Sequence, residues 1–135
     1  MAKRKKKTNF QRLRKEHERI EYESTVEDCQ FWFDVLNSEL FNKELPRVPF
    51  GFKWLRTCWA YYEYFPRKPN KPERIIMHKR YPSHKLFVEC LSHEMVHHWQ
   101  YMKLGWRKVD HGDEFQNWCN KAKQIGLRMG EEQNE

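Results

Sequence analysis

The sequence predicts an α+β domain with an N-terminal support helix, a small three-stranded antiparallel sheet, and two further helices, the first carrying the chemistry. Three observations predict it. Apolar residues recur at spacings of three and four after Thr25, runs rich in aromatic and β-branched residues fill 48–78, and the helical period returns after Ser83. The chain divides into a basic arm over 1–20, a globular domain over 21–128 and a short tail over 129–135.

Charge separates the arm from the rest. Residues 1–19 hold nine Lys or Arg and two Glu, so the whole formal excess of +7 lies there and the remaining charges cancel. Such a segment, with Lys3, Arg4, Lys5, Lys6 and Lys7 at its head, gains from releasing counterions on a polyphosphate and is expected to touch DNA or RNA. A solubilising tail is the plainer alternative. The arm has no apolar core of the kind a secretory signal needs, and no apolar run approaches the roughly 18 residues that cross a bilayer. An intracellular protein is expected, cytoplasmic or DNA-associated, and nuclear if the host is eukaryotic.

The first helix is read from Val26, Cys29, Phe33, Leu36 and Leu40, with Thr25 as N-cap, Glu27 and Asp28 in the first turn, and Pro46 as the stop. VPFGFKWL, TCWAYYEYF and RIIMH then read as strands. The second could expose a stacking platform for bases beside Arg67 and Lys68, although ordinary sheet packing with a partly exposed back is favoured. The third, Arg74 to His78, is the expected free edge, where an extended peptide could add as a further strand. Lys79 and Arg80 follow it as further candidate nucleic-acid contacts.

Ser83 then caps the second helix, which Gly105 ends. Within it, His93, Glu94 and His97 form His-Glu-x-x-His. Helical geometry puts the two imidazoles one turn apart on one face, where both reach a single cation, and swings Glu94 about 100° round toward the open coordination position. Zn2+ suits these donors, since catalytic zinc keeps three protein ligands and one open site. The third ligand is read as His111, in HGDEF ahead of the amphipathic stretch with Phe115, Trp118, Cys119 and Ala122. Asp113 and Glu114 compete for the role but also suit the first turn of a helix, where the dipole favours anions. Glu89 and Asp110 are the carboxylates expected to orient the imidazoles. Cys29, Cys58, Cys90 and Cys119 are dispersed with no C-x-x-C pair and read as small buried hydrophobes.

HEMVH, a spacer of thirteen residues and HGDEF, together with FWFDVLNSELFNKELP upstream, resemble the SprT-like zinc metalloprotease domain, the group that includes Spartan. The likeness runs from about Thr25 to Gly126. It implies a zincin-like fold, three His ligands, Glu94 as general base, and cleavage of proteins trapped on DNA. The Cys-rich zinc ribbon that bacterial members often carry has no counterpart among the four cysteines. Two other functions fit the residues: a non-catalytic, zinc-stabilised nucleic-acid-binding module, and a zinc hydrolase acting on a non-peptide amide. Oligomeric state and protein substrate are not encoded in any motif.

Overall fold

A computed structural model describes residues 21–129; the arm residues Lys3 to Lys7 and almost all of the tail lie outside them. The elements are β1 (Tyr22–Glu23), α1 (Val26–Leu40), β2 (Phe50–Lys53), β3 (Ala60–Glu63), β4 (Arg74–His78), β5 (Arg80–Tyr81), α2 (His84–Met102) and α3 (Asp113–Lys123). The architecture is α+β, with helices packed on a small sheet.

Helix α1 starts where Thr25 caps it, its hydroxyl accepting from the Asp28 amide at 3.2 Å. Cys29, Phe33, Leu36 and Leu40 face the core, whereas Val26, 40% exposed, lies outside the buried stripe. The helix ends before Pro46. Asn42 and Lys43 adopt left-handed backbone conformations (φ 56° and 63°), and the amides of Phe41 and Lys43 both close on the Asn37 carbonyl. Two consecutive left-handed residues reverse the chain as a helix C-terminus commonly does. The Asn37 side chain then holds the turn, donating to the Leu45 carbonyl and accepting from the Leu45 amide, each at 3.0 Å.

The main sheet departs from the antiparallel expectation. Its order is β2-β4-β3, with β4 parallel to β2 and antiparallel to β3. The three strands alternate in direction along the chain, but the last inserts between the first two. Burial explains the insertion: Ile75, Ile76 and Met77 are consecutive and each 0% exposed, so β4 needs cover on both faces and takes the centre. Arg74 to His78 is therefore not the free edge; both its sides are hydrogen-bonded, and β2 and β3 are the edges. A separate ribbon pairs β1 with β5, Tyr22 opposite Tyr81. It ties the start of the domain to the approach of α2, helped by Ser24 Oγ donating to the His78 carbonyl at 2.8 Å.

Helix α2, capped by Ser83 accepting from the Leu86 amide at 3.1 Å, lies across β3 and β4 with α1 against it. It is buried without interruption from Phe87 to His98. The His-Glu-x-x-His motif therefore lies inside the protein and not on a solvated helix face. Polar groups in such a place need partners or an ion. Helix α3 packs Phe115, Cys119 and Ala122 inward and carries Asp113 and Glu114 in its first turn. Downstream, the Arg128 amide donates to Glu89 at 2.6 Å, drawing the following segment back onto α2.

Candidate metal centre

Three imidazoles converge where α2 meets the loop before α3. Among the described residues, His93, His97 and His111 form a group whose donor atoms could hold a metal ion. His111 Nε2 lies 3.1 Å from His93 Nε2 and 3.1 Å from His97 Nε2. The donor set fits zinc: metal–nitrogen bonds of about 2.0–2.1 Å at tetrahedral angles put neighbouring nitrogens about 3.3 Å apart. His93 and His97 are 0% and 1% exposed, while His111 is exposed, so the centre opens to solvent on the His111 side. Glu94, 1% exposed, follows His93 on the same helical turn.

Phe115 is the floor of the site. Its ring lies 4.8, 5.4 and 4.7 Å from those of His93, His97 and His111, and it is stacked on His97 at 22°. The sequence pattern placed Phe115 on an amphipathic face but said nothing of this contact. Spacing of four from His111 across a helix start was the available signal.

At His97 the orienting group is an amide and not one of the carboxylates expected near the imidazoles. Glu89 binds the Arg128 amide and approaches Lys85 Nζ at 3.8 Å. Asp110 turns its carboxylate to the Gly112 amide at 3.0 Å. Gly112 itself is not in a left-handed conformation. A Cβ there would meet that carboxylate at 3.3 Å, a tight contact with the exposed Asp110 side chain. The group at His97 Nδ1 is Gln100 Oε1, 3.1 Å away, a residue outside the His-Glu-x-x-His motif. The competing ligand Glu114 is engaged elsewhere, accepting from Trp118 Nε1 at 2.7 Å. None of the four cysteines enters the cluster; Cys29, Cys90 and Cys119 are buried and Cys58 is half-buried.

His98, next to the second ligand, has a different task. Its Nε2 faces the Pro46 carbonyl at 2.7 Å, so it donates there, and Nδ1 accepts from the Tyr62 hydroxyl at 2.8 Å. Both nitrogens are committed, tying α2 to β3 and to the segment before β2. Tyr62 is itself buried and stacks on Tyr64, whose hydroxyl accepts from the Val109 amide at 3.2 Å. These rings pack against α2 and the loop to His111, so this face of β3 is core, while Tyr61 on the opposite face is half-buried.

Burial pushes His97 down to about 4, with the Gln100 bond opposing, and lowers His98 as well. Their native rings stay neutral below about pH 6.5, where histidines of the unfolded chain take up protons. The unfolded state then binds more protons, and stability falls as pH drops from about 6.5 toward about 4. The metal-free protein should therefore melt at a lower temperature at about pH 5 than at about pH 7.5. Equal melting temperatures in a chelator-treated thermal scan would contradict neutral buried imidazoles.

The basic residues singled out in the sequence are not gathered into one patch. Arg67, Lys68, Lys79 and Arg80 are all exposed, but Arg67 and Lys68 follow β3 near the start of β4, while Lys79 and Arg80 follow its end. Arg80 also pairs with Glu21 at 3.2 Å.

A small α+β domain whose buried helix offers two imidazoles to a third from the next loop is a domain that could hold a metal ion. The sequence profile of the SprT-like family matches residues 29–133, and the chain belongs to that family, whose domains are of metallopeptidase type. No curated protein sequence matches the chain.

Proposed function

We propose that the protein is a zinc-dependent endopeptidase with a zincin-like centre, acting on proteins associated with or crosslinked to DNA. The observation that carries the proposal is the convergence of His111 on the helical pair, which leaves three protein donors and a solvent-facing side. A closed structural zinc site uses four donors. When bound at His93, His97 and His111, the ion would polarise a substrate carbonyl and acidify a water in its open position.

The chain's own residues supply the rest. Glu94 takes the proton from the attacking water and delivers it to the leaving amine nitrogen, work that a carboxylate within the buried helix can do and an amide cannot. The imidazoles, packed on Phe115, keep their approach fixed through the reaction. Strand β3, a free edge against α2, is the place for an extended substrate to add by main-chain hydrogen bonds, which select little sequence.

DNA contact is assigned to the basic arm with Lys3, Arg4, Lys5, Lys6 and Lys7, and to the exposed Arg67, Lys68, Lys79 and Arg80. No helix among the described residues is long and apolar enough to cross a membrane. The assay is digestion of an unfolded protein, and of a DNA-crosslinked one, by zinc-loaded enzyme with and without chelator. Chelator-sensitive fragments, more abundant on the crosslinked substrate, are expected. Fragments that persist in chelator, or none from either substrate, would contradict the proposal.

A further inference from the structure

The Gln100 side chain lies between the second histidine of the cluster and the chain leading to the third. It is 0% exposed and sits three residues after His97, on the same face of α2. Its orientation follows from two backbone groups that have no choice of role. The Asp110 amide can only donate, and its partner at 3.1 Å is Gln100 Oε1. The Asp110 carbonyl can only accept, and its partner at 3.0 Å is Gln100 Nε2. Exchanging oxygen and nitrogen in the amide would lose both bonds.

The histidine's tautomer follows from that orientation. Oε1, now fixed as the oxygen, is the atom 3.1 Å from His97 Nδ1, and a carbonyl oxygen cannot donate. Nδ1 must therefore carry the hydrogen. The neutral ring then keeps its lone pair on Nε2, the atom 3.1 Å from His111 Nε2. One buried amide thus decides which nitrogen His97 presents and where residue 110, next to His111, is held. Gln100 Nε2 also lies 3.5 Å from Glu114 Oε2, so the carboxylate in this cluster meets the amide and not the imidazole. A neutral side chain meets the imidazole, at less desolvation cost than a second carboxylate would carry.

We propose that Gln100 is a positioning residue that fixes His97 as the Nδ1–H tautomer and pins the segment before His111, so that the three-imidazole site is assembled before an ion arrives. The inference rests on the metal-centre reading above, and deepens it. The domain contains a useful comparison: Asn37 grips both backbone groups of Leu45 in the same manner, with no histidine involved. Asn37 is the control for a clamp that only stabilises.

The test reads imidazole nitrogens in the metal-free protein by long-range proton–nitrogen correlation spectra, and zinc affinity by competition with a chromophoric chelator. Wild type should show His97 with a protonated Nδ1 and bare Nε2. Gln100→Leu should lose this single tautomer and bind zinc about 10- to 100-fold more weakly. Gln100→Glu keeps an acceptor for both His97 and the Asp110 amide, and should retain the tautomer and recover part of the affinity. Asn37→Leu should lower the melting temperature while leaving tautomer and affinity unchanged. A wild-type spectrum with the proton on Nε2 would overturn the proposal, even if Gln100→Leu fails to fold. So would a folded Gln100→Leu protein with wild-type tautomer and affinity. Neither readout needs peptidase activity, so an inactive protein with these spectra and affinities would refute the peptidase function and leave the positioning role standing.

Discussion

Glu94→Gln is expected to retain zinc and fold and to lose peptidase activity by about 10²- to 10⁴-fold, the range that a positioned general base contributes. The carboxylate is 1% exposed on a helix buried on both flanks, so the replacement must match its shape, and glutamine does. An amide has no basic oxygen able to hold the transferred proton, so the loss falls on the chemical step and not on metal binding. Turnover of a quenched peptide substrate, measured beside zinc stoichiometry and a circular dichroism spectrum, checks all three parts. A variant with the wild-type rate would move proton transfer to another residue.

His111→Ala separates the centre from its scaffold. His111 is exposed and contributes one of three converging nitrogens, so its removal should spare the fold while weakening zinc binding by at least about 100-fold, the most that losing an outer orienting partner costs. The nearest replacements are poorly placed: Glu114 is held by Trp118, and Asp113 lies in the first turn of α3. Zinc content after dialysis against a weak chelator, with a thermal scan of the same sample, gives the answer. Undiminished zinc would pass the role to a carboxylate.

Much of this was legible in local pattern. Thr25 and Ser83 announced two helix starts, and the stripes behind them named most of the buried faces, because capping and amphipathicity are local properties. Strand order was harder. RIIMH has no alternation, which is the mark of a strand covered on both faces, and that feature indicated a central position more strongly than proximity to α2 indicated an edge. The two-residue strands β1 and β5 are too short to show any period.

The site divides in the same way. Two histidines at a helical spacing and a third after a spacer of thirteen residues are visible because residue type and spacing carry the chemistry. Gln100 and Phe115 were not visible as site residues. Their roles come from contacts across the loop between α2 and α3, where no periodicity links the partners. The helix end at Leu40 escaped notice for a related reason: left-handed Asn42 and Lys43, held by Asn37, stop it sooner than proline could.

The most direct measurement of the central claim is the coordination shell of zinc-loaded wild-type protein by X-ray absorption. Three imidazole nitrogens and one oxygen donor at about 2.0–2.1 Å are predicted. A sulfur donor at about 2.3 Å, or a shell with two imidazoles in place of three, would contradict a centre built from His93, His97 and His111.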